Sequence, residues 1–269
     1  MAKKITFTER AAVTLKSYKA VLLWPLVCKN WWLGVQSYRN IIPYDKKIVY
    51  RLRNGLRLNA FGHPGDLQII REIFLHNSYS KLINFSEIKT IVDLGAHKGY
   101  FALQLAHEIG KEARILCVEP ESTNLKQLKL NIQKNDLSSQ ITVEGCAVHT
   151  TDGYVTLYTA AFTPGNTIYK KLLAGKKRKV NVRCKPLKTL LDKHKFNRID
   201  LLKLDIEGAE YEVIFNLKDD ILDRVKYLAI ECHEIEGYSI SNMSSYLEDK
   251  GFRCQLPYGA ETLVVCSRP

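Results

Sequence analysis

From about residue 90 the chain alternates between short apolar runs and longer segments in which apolar residues recur every three or four positions. The first pattern fits strands buried in a sheet and the second fits amphipathic helices. It predicts strands at 90–95, 113–119, 140–147, 153–159, 179–184, 199–205 and 225–232, and helices at 99–110, 122–135, 187–195, 208–217 and 241–250. Closing strands near 252–256 and 262–267 have no helix between them and should pair as an antiparallel hairpin at or near a sheet edge. Strands alternating with helices in this way predict an α/β fold around a mostly parallel sheet covered on both faces.

Upstream, "KIVYRLRNGLRLNAF" at 47–61 reads as a β-hairpin turning at Asn54-Gly55, with a helix from Asp66 to Leu75. Nearer the start, Ala11, Leu15, Tyr18 and Leu22 recur at helical spacing with Lys16 and Lys19 between them, so an amphipathic helix interrupted near Pro25 is expected. No repeat, low-complexity tract or Pro/Gly/Ser-rich linker divides the chain. The organisation expected is a basic, tryptophan-containing extension over 1–46 followed by one domain over 47–269.

Charge adds a clue about partners. The net charge of +12 is concentrated: residues 1–60 hold 12 Lys/Arg against 2 Asp/Glu, and residues 170–198 hold 12 against 1. Two basic segments on an otherwise acidic protein point to an anionic partner, whether a lipid headgroup, an acidic glycan or nucleic acid; solvated basic loops are the plainer explanation. Trp24, Trp31 and Trp32 beside lysines over 8–40 suit peripheral contact with a membrane surface, and equally a cap on the main domain. The apolar run from Ala20 to Cys28 is nine residues, where a bilayer span needs about 20. Seven scattered cysteines without a C-x-x-C pair suggest reduced, buried thiols and, with no signal peptide visible, a cytoplasmic location, possible also at the inner membrane surface.

The candidate chemistry sits at strand ends. "TIVDLGAHKGYFALQLA" (90–106) has the shape of a strand, a tight turn and a helix, but the dinucleotide pattern G-x-G-x-x-G would need glycine where the chain has His97 and Tyr100. What remains is Asp93 closing a strand, Gly95 in the turn and Gly99 opening the helix, where its bare backbone allows close approach to a ligand. An acid there repels phosphate and attracts an ammonium group. The next strand ends "ILCVEPES", placing Glu119 where a carboxylate can accept both hydroxyls of a ribose. One acid for an amino-acid group and one for a ribose describe S-adenosylmethionine.

In strand 199–205, Lys203 and Asp205 share a face, followed by Glu207 and Glu210 where the next helix begins. Strand 225–232 ends "AIECHE", with Glu231 and His233 on one face of the neighbouring tip. Asp205 is the candidate to position or deprotonate an acceptor, Lys203 to hold it ionised, and His233 to act as a general base near pH 7. A structural Lys–Asp pair, with the two glutamates favouring a helix N-terminus, explains the same residues. Asp205, Glu231 and His233 could instead gather a divalent cation, although no tight ligand spacing marks a metal site.

"IVDLGAHKGYFALQLA", "VEPESTNLKQLKLNI", "DLLKLDIEGAEYEVI" and "LAIECHE" together resemble the FkbM-type family of S-adenosylmethionine-dependent methyltransferases, from about residue 47 to 267. The resemblance implies a class I methyltransferase (Rossmann-like) fold, a seven-stranded sheet in the order 3-2-1-4-5-7-6. It also implies O-methylation of hydroxyls on sugars or related natural products. It carries the cofactor role onto Asp93, Gly95, Ala96 and Gly99 and the ribose role onto Glu119; the position of His97 is asparagine in many relatives. The basic stretch "TPGNTIYKKLLAGKKRKVNVRCKP" lies between the third and fourth core strands and predicts an acidic acceptor such as a phosphorylated or uronic-acid-bearing glycan or glycolipid. Methylation of nucleic acid is the competing enzymatic reading, encouraged by "GKKRK" and weakened by the lack of an Asn/Asp-Pro-Pro-aromatic motif. A binding protein that keeps the fold without catalysis is the other.

Overall fold

The structure, a computed structural model, describes residues 23–76, 82–160, 177–257 and 262–268. The chain divides into two compact units, Met1–His76 and Asn77–Pro269. The amphipathic segment expected over Ala11 to Leu22 lies outside the described residues.

In the first unit, β1 (Lys47–Arg51) and β2 (Arg57–Phe61) form the antiparallel hairpin, with Gly55 in the turn at φ 101°. Its alternation is direct: Ile48, Tyr50, Leu58 and Ala60 point inward, Lys47 and Arg51 outward. Residues 23–27 are helical through Pro25, so the expected interruption comes later, at Cys28, which bridges to Leu52. Trp24 is core, edge-on to Tyr50 at 5.6 Å, and Gly34 of helix α1 (Trp32–Tyr38) leaves room for its indole. Trp31 and Trp32 are exposed. Helix α2 (Pro64–Arg71) starts with proline inside its first turn and His63 Nδ1 accepting the Gly65 N–H. The hairpin and α2 therefore group with the N-terminal unit, upstream of the division at His76.

The second unit is built on a seven-stranded sheet. Its strands are β3 (Thr90–Leu94), β4 (Arg114–Val118), β5 (Ile141–Glu144), β9 (Ile199–Leu204), β10 (Val225–Glu231), β11 (Arg253–Gln255) and β12 (Leu263–Ser267), in spatial order β11-β12-β10-β9-β3-β4-β5. Counted by first appearance this is 3-2-1-4-5-7-6. Only β12 runs against the rest, through its antiparallel pairings with β10 and β11. Every residue of β9 is buried, and all of β3 after Thr90. Side chains alternate between faces, so both faces of the sheet centre are covered. At the amino end, Asp200 Oδ2 accepts the N–H groups of Lys89 and Thr90 and the Thr90 hydroxyl, fixing β3 against β9.

The helices are α3 (Tyr100–Ile109), α4 (Ser122–Lys134), α5 (Leu187–Lys193), α6 (Glu210–Phe215), α7 (Asp219–Leu222) and α8 (Ile240–Asp249). The strand expected at 140–147 is split. After β5 the chain leaves the main sheet, and β6 (Ala147–Val148), β7 (Gly153–Ala160) and β8 (Lys177–Lys185) form a separate three-stranded sheet ordered β6-β8-β7. Residues 161–176, the first part of the basic insertion, lie outside the described set.

The cysteines require a correction. Cys254 and Cys266 form a disulfide between β11 and β12, where the two residues are direct cross-strand partners, while Cys28, Cys117, Cys146, Cys184 and Cys232 are free and buried. Spacing could not show this pair, because its proximity is created by the terminal hairpin. No helix among the described residues is long and apolar enough to cross a membrane.

Candidate active site

The carboxyl tips of β3, β4 and β9 are joined by backbone bonds. Gly95 and Ala96 both donate N–H to the Val118 carbonyl, at 3.0 and 3.1 Å, and Asp205 N–H donates to Leu94 O at 3.1 Å. Gly95 has φ 78°, and a Cβ on it would lie 1.8 Å from the Asp205 carbonyl oxygen. Gly99, at φ 81°, would place a Cβ 2.4 Å from Leu128 of α4. Close packing of strand tip and helix thus demands both glycines; the contact that excludes a side chain at Gly99 is with α4 rather than a ligand.

Asp93 is fully buried, and neither of its carboxylate oxygens accepts a hydrogen bond. Its ionic partner is Lys203, whose Nζ lies 3.4 Å away, and the two are direct partners across β3 and β9. Burial raises the Asp93 pKa against the opposing pull of Lys203. Lys203 Nζ is also 3.3 Å from Asp205 Oδ2, so one buried ammonium ties the tip of β3 to that of β9.

Glu119 is buried, with Oε2 accepting the His97 N–H at 2.8 Å and Oε1 the Glu121 N–H at 2.9 Å. The Asn124 side chain bonds it as well, and the carboxylate keeps acceptor capacity for a ribose hydroxyl. His97, held at φ 50°, has a buried Nδ1 without a partner. Burial, then the charges of Lys98 and Lys203, lower its pKa to about 3, so its ring is neutral. Buried acids with spare acceptor capacity and a neutral imidazole fit the ammonium and diol of S-adenosylmethionine. Asp93 and Glu119 would hold those ends, with Gly95, Ala96, His97 and Gly99 supplying the turn between them.

Burial raises the Glu119 pKa to about 7. Only the ionised carboxylate offers both oxygens as full acceptors, so cofactor affinity should rise with pH through this value. Calorimetric titration from pH 6 to 8 should show tighter binding at the higher pH, with a limiting slope of about tenfold per unit below the pKa. Glu119→Gln should bind more weakly with a flat profile. An equally steep profile in the variant would remove Glu119 as the titrating group.

The loop after β9 is organised by Glu210, which is fully buried. Its Oε1 accepts the Ile206 N–H at 2.9 Å, its Oε2 accepts the Gly208 N–H at 2.8 Å, and Oε1 also meets His233 Nδ1 at 3.0 Å. His233 Nε2 faces Glu207 Oε2 at 3.2 Å. Burial alone would lower the His233 pKa, but Glu210, Glu207 and Asp205 overcome it and raise it to about 9. This corrects the expectation of a general base near pH 7, because both ring nitrogens are occupied by carboxylates and the ring is held as imidazolium. Glu231 moves the other way from an ordinary carboxylate: the charge of Asp205, then burial, raises it to about 7.

The structure therefore brings Asp93, Lys203 and Asp205 into one chain of charges and sets His233 between Glu207 and Glu210. Sequence reasoning assigned Glu207 and Glu210 only to a helix N-terminus. The signal was the spacing of "EGAE": a glycine at φ 108° between the two acids lets the second fold back onto the amides before it.

The sheet order, the acid–glycine turn after its first strand and the acid at its second tip define a class I S-adenosylmethionine-dependent methyltransferase. Residues 93–254 match the Methyltransferase FkbM domain, and the chain belongs to that family. It is 29% identical over 212 residues to methyltransferase sdnD of Sordaria araneosa, covering 68% of this chain and 81% of that protein. It is 25% identical over 202 residues to methyltransferase 1 of Beauveria bassiana, covering 68% and 80%. Among solved structures, methyltransferase FkbM from Methylobacillus flagellatus KT is similar at 21% identity and TM-score 0.49, over 70% of this chain; the chain spans 45% of the length of that protein.

Proposed function

We propose that this methyltransferase acts on a hydroxyl of a sugar, glycan or glycolipid carrying negative charge. The observation that carries the reading is one face of the accessory sheet. Tyr154 pairs with Arg183 and Tyr158 with Lys179 across β7 and β8, so two aromatic rings and two cations share a face, with Thr156 and Asn181 between them. Tyr154 is three-quarters exposed, and Lys179 Nζ lies 6.0 Å from the Tyr158 ring centre. Aromatic faces stack on sugar rings, and cations recognise carboxylate or phosphate. The end of β6 is tied to the helix after β9: His149 Nε2 lies 3.2 Å from Glu212 of α6, the helix that begins with Glu210.

The cofactor supplies an electrophilic methyl group. The acceptor hydroxyl must be aligned with it and must lose a proton. Asp205 is partly exposed at the β9 tip and is the carboxylate available to that hydroxyl, with Lys203 compensating its charge. Glu231, raised to about 7 by Asp205 and burial, is suited to take up the proton. His233, held by Glu210 and Glu207, orients the adjoining loop.

The test is transfer of labelled methyl to a panel of sugar phosphates, uronates and their neutral counterparts. Anionic acceptors should be preferred, and Lys179→Glu with Arg183→Glu should raise KM for them about tenfold or more with little change in kcat. Equal turnover of neutral and anionic sugars would overturn the charge preference; transfer only to nitrogen acceptors or nucleic acid would overturn the hydroxyl.

A further inference from the structure

We propose that Asp205, Glu207 and His233 form a binding site for one divalent cation, through which the acceptor's oxygen atoms are held. One ligand atom from each of the three lies within 4.8 Å of the other two, a spread that one ion can span. The set is two carboxylates and an imidazole, oxygen and nitrogen donors that divalent ions such as Mn²⁺, Fe²⁺ and Zn²⁺ accept, and Mn²⁺ is the probe among them that can be read directly. It differs from the trio considered in the sequence, with Glu207 in place of Glu231.

A second observation lies outside the ligand set. His233 Nδ1 is fixed at 3.0 Å by Glu210, a fully buried carboxylate whose two oxygens are also anchored on the Ile206 and Gly208 amides. Metal-binding histidines characteristically give their second nitrogen to a carboxylate in this way, which sets the ring's orientation and directs the other nitrogen at the ion. Here that other nitrogen, Nε2, faces Glu207. Local charge agrees: Asp93, Asp205, Glu207, Glu210 and Glu231 gather at the tips of β3, β9 and β10, while Lys203 and His233 are the cations bonded among them. An ion entering takes the place of the Nε2 proton, which leaves to solvent. Asp205 is shared between the ion and Lys203, and Lys203 reaches Asp93, so the site adjoins the cofactor end of the sheet. An ion there would orient two neighbouring acceptor oxygens and acidify one of them.

The inference deepens the proposed reaction, and it is tested by reading the ion directly. Mn²⁺ is titrated into the full chain after chelator treatment, and the free ion is followed by electron paramagnetic resonance, with S-adenosylmethionine binding measured on the same samples. One Mn²⁺ per chain is expected, weakened about 10–100-fold in Glu210→Gln and at least as much in Glu207→Gln. Glu207 is partly exposed and its variant should keep cofactor affinity, so a loss there is not a loss of fold. Absence of Mn²⁺ binding, or binding equal in wild type and Glu207→Gln, which would mark an ion elsewhere on the surface, overturns the site. Methyl transfer to the acidic sugar that persists unchanged in chelator also overturns it and leaves the proposed reaction standing; loss of cofactor binding in the wild type would instead strike at that reaction.

Discussion

Gly95→Ala is expected to leave almost no folded catalytic unit. The new Cβ would sit 1.8 Å from the Asp205 carbonyl oxygen and 2.8 Å from its carbon. The backbone has little freedom to move aside, because Leu94 O accepts the Asp205 N–H and Gly95 N–H is bound to Val118. The left-handed φ of 78° adds about 1–2 kcal/mol for any residue with a Cβ. Overpacking against backbone adds about 1–3 kcal/mol or more, against a total stability of about 5–15 kcal/mol. Gly251→Ala separates the two contributions, since Gly251, which follows helix α8, has nearly the same φ, 84°, and no atom within 4 Å of its would-be Cβ. Denaturant titration should show a loss of about 1–2 kcal/mol for Gly251→Ala and little or no cooperative transition for Gly95→Ala. Equal losses would mean that the close approach of the two strand tips is not what requires glycine.

Asp93→Asn should cost both stability and cofactor. It removes the charge opposite a lysine that is itself buried, and breaking such a pair typically costs about 3–5 kcal/mol. The loss should fall toward the lower end, because Lys203 keeps Asp205 at 3.3 Å. Adding Lys203→Met to Asp93→Asn should restore much of the stability by removing the orphaned cation, yet should not restore S-adenosylmethionine binding. Calorimetry alongside denaturant unfolding reads both effects. Wild-type stability in Asp93→Asn would show that the pair contributes nothing to the fold, and unchanged cofactor affinity would remove Asp93 from the binding site.

The sites follow the same division between local and distant information. Asp93, Glu119, Lys203 and Asp205 were legible because each stands at the end of an apolar strand, and strand ends in a parallel sheet converge on one edge. His233 was legible as a residue but not as a chemical species. Its charge depends on Glu207 and Glu210, more than twenty residues earlier in the chain, and on how the β9 loop turns them toward it. Gly99 was legible as a glycine but not for its reason, which lies in Leu128 of a helix two elements further on. The basic insertion was visible as charge, whereas the sharing of one face by Tyr154, Tyr158, Lys179 and Arg183 follows from the β7–β8 register.

By itself the sequence determined the strand and helix succession, the Asn54-Gly55 hairpin and the acids at the strand tips. These depend on hydrophobic periodicity and on local turn chemistry, which act over a few residues. Tertiary structure alone decided the departure of β6, β7 and β8 into their own sheet and the Cys254–Cys266 pairing. It also decided the division after His76, the imidazolium state of His233 and the gathering of Asp205, Glu207 and His233. Each of these depends on the distance and solvent exposure of groups far apart in the chain. Burial and neighbouring charge set which bonds form and which protons stay, and both come into being only when the sheet closes.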